Sequence, residues 1–161
     1  MNGSTLARQF FSSGYSLKVN LEDISHEDSL FAPERGGNCI NWIVGHILNS
    51  RNRLFGFVGL DQVWDASHAE VYGSGTVPLT SSDKAIPLDT LVQVFDASQE
   101  RLIAQLKAMS ADALNAALPE PHKLFGKTVE TAVAFSAFHE IYHVGQVSLL
   151  RRALGREGAI P

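Results

Sequence analysis

The chain has 161 residues, of which 45% are hydrophobic and 19% charged, and its formal net charge is −4 at pH 7. This composition is ordinary for a globular protein and excludes a disordered chain. The acidic balance argues against a nucleic-acid or anionic-membrane surface, because such surfaces need clustered lysine and arginine. The single cysteine, Cys39, excludes an internal disulfide framework and fits a cytoplasmic protein.

We expect a single domain over residues 1–161, since this length is usual for one domain. We expect neither a secretory signal nor a membrane span, because no stretch approaches the roughly 20 apolar residues that a span requires. Two arginine pairs are too sparse to form a basic surface and are expected on solvated helix faces: Arg51 with Arg53, and Arg151 with Arg152.

The first of four segments with helical apolar periodicity covers residues 4–21. Ser25 and Asp28 behind it have the spacing of a capping box, with Asp in place of the usual Glu or Gln. This spacing predicts one short extra helical turn after the first helix.

The second predicted helix covers residues 39–58 and follows a Pro- and Gly-containing break at residues 33–37. Asn38 is predicted to be its N-cap. Residues 59–87 have the weakest periodicity and are predicted to be a long connection, with a short helix around Trp64. A connection of this length is unusual in a compact domain and is often functional, for example as a lid.

The third predicted helix covers residues 89–109, and Ser110 caps a short turn behind it. Pro119 and Pro121 end that turn. The fourth predicted helix covers residues 128–154, and no convincing strand is found. Four helices, each with one apolar stripe, predict an all-α four-helix bundle with short extra turns and a long connection between its second and third helices.

His139 and His143 lie four residues apart on the fourth helix, about 6 Å along its axis and roughly 40° apart in rotation. Both fall on its apolar face, so their rings are predicted to point into the bundle. Burying two unpartnered imidazoles is unfavourable, and a shared metal ion removes the difficulty. The alternative is a pair of core histidines bonded to backbone carbonyls or to Tyr142.

His46 favours the metal, because it lies on the inward face of the second helix and can meet the other two rings across the bundle. Three nitrogen ligands with open positions are typical of a catalytic site rather than a closed structural one. The other histidines, His26, His68 and His122, lie in predicted connections and are expected to be exposed.

Residues 139–143 also match HExxH, the zinc-protease motif in which Glu140 would act as general base. The extended motif requires Gly and His where this chain has Gln146 and Leu149, so the protease is the weaker hypothesis. A di-iron site is disfavoured, since the glutamates of the first and third helices, Glu22 and Glu100, are not followed by a correctly spaced histidine.

Two stretches together resemble the signature stretches of the DinB-like, or YfiT-like, metalloenzyme superfamily. They are residues 38–46 (NCINWIVGH) and residues 138–146 (FHEIYHVGQ), and the similarity continues through residues 149–155 (LLRRALG). The resemblance implies an up-down-down-up bundle, frequent homodimers and one divalent metal ion, commonly nickel or zinc. Carried over residue by residue, its ligands are His46, His139 and His143.

Relatives within the resembled family include S-transferases that use low-molecular-weight thiols such as bacillithiol or mycothiol, and a thiol-dependent maleylpyruvate isomerase. The resemblance therefore implies a metal-dependent enzyme that transfers a thiol or an electrophilic group of a small molecule. Gln146 is predicted to orient a ligand, Arg53 to bind a substrate carboxylate, and Glu140 to accept a proton. The alternative hypothesis is a non-catalytic, dimeric metal-binding bundle.

Overall fold

The computed structural model describes residues 1–33, 36–79 and 82–159, and it is mostly helical. Parts of the predicted break at 33–37 and of the predicted connection at 59–87 thus lie outside the described residues. The helices are α1 (Gly3–Leu21), α2 (His26–Ser29), α3 (Ile40–Phe57), α4 (Ala69–Tyr72), α5 (Leu88–Ala108), α6 (Ala111–Asn115) and α7 (Val129–Ala153). The mostly helical fold is confirmed, and each of the four long helices begins and ends within one residue of its predicted bounds.

Side-chain hydrogen bonds cap the N-termini of α1, α2, α6 and α7, whereas α3, α4 and α5 have no such bond. The capping box of Ser25 and Asp28 is confirmed, with both of its reciprocal hydrogen bonds present. Asn38 was predicted to cap α3, and this was wrong, because the N-cap is Cys39 and its side chain makes no capping bond. The Cys39 thiol is packed in the core instead, with Sγ 3.8 Å from the carbonyl oxygen of Leu79.

A short antiparallel hairpin precedes α7, so the prediction that the chain has no strand was wrong. Its strands are β1 (Ala117–His122) and β2 (Gly126–Thr128). Pro119 and Pro121 lie within β1, which a two-stranded ribbon tolerates because each strand keeps a free edge where no N–H is needed. The hairpin runs directly into Thr128, the N-cap of α7.

The connection between α3 and α5 is partly helical. A 3₁₀ turn covers Ala66–His68 and leads into α4, while a second covers Ser82–Lys84. The short helix that was predicted around Trp64 therefore begins slightly later in the chain. Within the described residues, no helix is both long enough and apolar enough to cross a membrane.

α1 packs against both α5 and α7, and α3 packs against the same two helices. The buried apolar side chains form two clusters, which occupy successive parts of each long helix. Between the two clusters lies a buried polar layer to which all four long helices contribute: Ser13, Arg51, Ser98 and Glu140, with the half-buried Gln99 at its side.

Candidate metal centre

Three imidazole rings converge between α3 and α7. The Nε2 atom of His139 lies 3.4 Å from Nε2 of His46 and 3.1 Å from Nε2 of His143. One ring nitrogen of each histidine lies within 4.8 Å of the other two. The prediction that two distant helices aim their imidazoles at one common point is confirmed.

Two of the three nitrogen separations fit a single first-row ion. Metal–nitrogen bonds of about 2.0–2.1 Å place neighbouring ligand atoms about 2.9–3.4 Å apart in octahedral or tetrahedral geometry. The two shortest separations here, 3.1 and 3.4 Å, lie in that range. All three candidate ligand atoms lie within 4.8 Å of one another, so the cluster could hold one metal ion.

The ring of His46 is oriented by a backbone carbonyl from outside its own helix. His46 is 4% exposed, and its Nδ1 donates to the carbonyl oxygen of Tyr72 at 2.9 Å. The Trp42 ring stacks on the imidazole with centroids 4.6 Å apart and planes 8° apart. Because the proton is held on Nδ1, the lone pair of Nε2 faces the other two histidines.

Tyr72 is itself fixed by hydrogen bonds within the core. Its hydroxyl donates to Oδ1 of Asn41 at 3.0 Å and accepts from the backbone N–H of Ile86 at 2.9 Å. A side chain at Gly45 would place a Cβ 2.2 Å from the Tyr72 ring, so α3 needs glycine there. The connection between α3 and α5 thus supplies the orienting partner of His46. Sequence reasoning missed Tyr72, because no local spacing relates it to a histidine.

His143 is oriented from within its own helix. Its Nδ1 donates to Oε1 of Gln146 at 2.7 Å, one turn further along α7. Gln146 therefore lies beside the cluster, as a hydrogen-bond partner of one candidate ligand. His143 is buried, whereas His139 between the other two rings is half-buried.

Burial lowers the pKa of all three imidazoles. The pKa of His139 is lowered to about 4, first by burial and then by repulsion from His143 and His46. Burial is also the largest cause of the lowered pKa of His46 and of His143. All three rings are accordingly neutral at pH 7, which is the state that metal coordination requires.

Glu140 points away from the histidines into the polar layer. It is 3% exposed, and its two oxygens accept from Arg51 at 2.9 and 3.0 Å and from Ser13 Oγ at 2.5 Å. Arg51 is 2% exposed and lies over the Phe95 ring at 4.0 Å, so its predicted place on a solvated face was wrong. Arg51 can be buried because the buried Glu140 carboxylate neutralises its charge; an unpaired arginine would be too costly to bury.

Arg53 lies on the wall of a cavity of about 490 Å³ beside the cluster, and His139 lies on the same wall. The Arg53 side chain is exposed, and its guanidinium carbon is 5.2 Å from the ring centroid of Phe125. The structure thus brings Arg53 to the same cavity as one of the three histidines.

The remaining histidines and the cysteine lie outside the cluster. His26 and His68 are half-buried, so the prediction that they are exposed was wrong, whereas His122 is exposed and lines the cavity. Cys39 is 1% exposed, and burial raises the pKa of its thiol.

Comparison with known families gives one match. A family model described as the DinB superfamily matches residues 16–147, which include the helical positions of all three histidines. Comparison with curated proteins finds no match to this chain. The match confirms the family that the two signature stretches indicated.

Proposed function

The chain belongs to the DinB superfamily, and we propose that it is a metal-dependent enzyme that carries out a thiol-dependent group transfer or isomerisation on a small molecule. The observation that carries this proposal is the convergence of three neutral imidazoles, with Nε2 separations of 3.1 and 3.4 Å, beside a cavity. A divalent cation at this point, nickel or zinc, would lower the pKa of a thiol and polarise an electrophile.

The proposed roles of the neighbouring residues have different support. Gln146 is proposed to orient His143, supported by their 2.7 Å hydrogen bond. Arg53 is proposed to bind an anionic part of the substrate, supported by its place in the cavity. A role of Glu140 as proton acceptor has less support, because both of its oxygens already accept hydrogen bonds within the polar layer.

We also infer that the long helices form an up-down-down-up bundle in one domain. Arg151, near the end of α7, donates to the carbonyl oxygen of Glu22, directly after α1, at 2.5 Å. Gln105, near the end of α5, donates to the carbonyl oxygen of Val58, directly after α3, at 2.7 Å. These contacts support parallel α1–α7 and α3–α5 pairs, as that topology requires.

A homodimer in the cytoplasm is part of the same proposal. α7 exposes large apolar side chains at helical spacings: Phe138, Ile141, Tyr142 and Leu149. Helical residues at such spacings share one face, and contiguous exposed apolar patches commonly mark protein–protein contacts. A second copy of the chain is the partner we propose for this face.

The first experiment measures metal content and stability without an affinity tag. We expect about one nickel or zinc ion per chain after loading, and a higher melting temperature with metal than with chelator. A ligand present at about a thousand times its dissociation constant stabilises the folded state by about 4 kcal/mol. His143→Ala should lose this gain, whereas His68→Ala, outside the cluster, should keep it. A wild-type melting temperature that neither metal raises would remove the basis of the proposal.

Activity assays distinguish the proposed enzyme from two other functions. A non-catalytic, dimeric metal-binding bundle would bind metal but would convert none of the thiol and electrophile pairs in an activity screen. The screen compares wild type with His143→Ala, so that only activity that depends on the cluster is counted. A zinc protease should cleave casein when loaded with metal. The ion pair of Glu140 with Arg51 argues against the protease, because that mechanism needs a glutamate free to act on water.

A further inference from the structure

The cavity beside the metal centre is walled by four parts of the fold. α3 and α7 provide one side, α4 and the residues after it another, and the β1–β2 turn closes the third. Its volume of about 490 Å³ lies within the range of small-molecule sites, roughly 300–1,000 Å³. The hairpin that the sequence did not predict is therefore part of the cavity wall.

A continuous row of rings leads from Arg53 to the metal centre. The Arg53 guanidinium carbon lies 5.2 Å from the Phe125 centroid, and Phe125 lies 5.1 Å from Phe135. Phe135 in turn lies 6.1 Å from the ring of His139, with the planes 31° apart. A molecule lying along this row would have a cation at one end, apolar ring surface in its middle and the histidines at the other end.

The charged side chain on the cavity wall is positive, with no acidic side chain beside it in the described part of the wall. Among the described residues, none of those lining the cavity is Asp or Glu. Arg53 takes part in none of the ion pairs found in the described part of the chain. His122 adds a polar group, since its Nδ1 accepts from the backbone N–H of Leu124 at 3.1 Å and the neutral ring then carries its proton on Nε2.

We propose that this cavity binds a small carboxylate with an apolar body. The carboxylate pairs with the Arg53 guanidinium, and the apolar body lies against Phe125 and Phe135, so that the far end of the molecule reaches His139. Arginine suits this role because its planar fork matches a carboxylate. This substrate class belongs to the enzyme proposed above and rests on that proposal, although the carboxylate contact itself needs no metal.

The test uses two fluorinated probes of similar shape, 4-fluorophenylacetate and the neutral 2-(4-fluorophenyl)ethanol. Their binding to the full chain is followed by ¹⁹F NMR, with the protein once metal-free in chelator and once loaded with zinc. At low salt the acid should bind about tenfold more tightly than the alcohol, because only the acid gains a charged hydrogen-bonded pair with Arg53. The preference is limited to this size because solvent partly screens the exposed Arg53. Arg53→Gln should remove this preference in both states.

Arg101→Gln is the matched control. Arg101 is also an exposed arginine near a phenylalanine ring, 5.1 Å from the Phe55 centroid, but it does not line the cavity. The control variant should keep the tenfold preference. Absence of binding by either probe, or a preference that survives in Arg53→Gln, would overturn the inference.

The results separate this inference from the proposed function. An Arg53-dependent preference in metal-free protein, together with failure to bind any metal, would support the carboxylate site and refute the metalloenzyme. Metal binding without the preference would leave the metalloenzyme standing and refute the carboxylate site. A preference that appears only with zinc and survives in Arg53→Gln would mean that the carboxylate binds at the metal, which also refutes the inference.

Discussion

The Arg51–Glu140 pair and the histidine cluster are neighbours, since Glu140 follows His139 on α7, yet their polar atoms are satisfied differently. Both oxygens of Glu140 accept hydrogen bonds, and Arg51 donates to groups on α5 as well as to the carboxylate. In the cluster, His46 and His143 both hold their proton on Nδ1, so their Nε2 atoms are acceptors. His139 can donate to only one of them.

The difference separates a polar group that is satisfied within the chain from one that could hold a cation. A buried network whose donors and acceptors are matched within the chain has no need of a ligand and joins the helices that contribute to it. A group of converging lone pairs could be satisfied by a cation instead. Removing a residue from the Arg51–Glu140 network should therefore mainly affect stability, whereas removing one from the histidine cluster should mainly affect metal binding.

The largest effect is expected for Glu140→Ala, which leaves the Arg51 charge buried without its partner. Breaking a buried ion pair in this way costs about 3–5 kcal/mol. Urea denaturation of the metal-free protein measures the loss of unfolding free energy. His143→Ala in the same metal-free condition is the comparison and should lose much less. If the Glu140 variant lost under about 1 kcal/mol, the polar layer would not have the structural role assigned to it.

Tyr72→Phe is expected to have an intermediate effect. It removes the hydroxyl that joins Asn41 to the backbone of Ile86 and so loosens the carbonyl that orients His46. Loss of an orienting partner weakens metal binding by about 10–100-fold; because Tyr72→Phe keeps the carbonyl and removes only its support, we expect a weakening near the lower end of that range. Competition with a chromophoric chelator measures the zinc dissociation constant, and Tyr15→Phe on the exposed surface of α1 is the control. Equal affinities of the two variants would contradict the role given to Tyr72.

A further effect is expected from pH on the metal-free chain. The folded-state pKa of His139 is lowered to about 4 from an ordinary value of 6.5, so below 6.5 the unfolded chain takes up the proton first. Stability is therefore complete above about pH 6.5 and decreases as the pH falls towards 4. Thermal unfolding in chelator should show this decline in wild type and a shallower one in His139→Gln. Parallel curves for the two proteins would count against a neutral, buried His139.

Much of the site was predictable because its determinants are local. The four-residue spacing of His139 and His143 places both rings on one face of a helix whatever the rest of the fold does. The inward face of α3 similarly indicated His46, which is 4% exposed. Strand β1 was not predicted, because Pro119 and Pro121 were interpreted only as the end of a turn; prolines exclude a central strand but not one strand of an isolated hairpin.

The amino-acid sequence by itself determined the helices, their limits and the faces that carry the three histidines, since periodicity and capping act between residues a few positions apart. Only the tertiary structure decided that Arg51 is buried against Glu140, 89 positions away, and that the carbonyl of Tyr72 orients His46. Only the tertiary structure, likewise, shows that the β1–β2 turn forms part of the cavity wall. Such contacts depend on how distant segments pack, and no spacing within one helix encodes them.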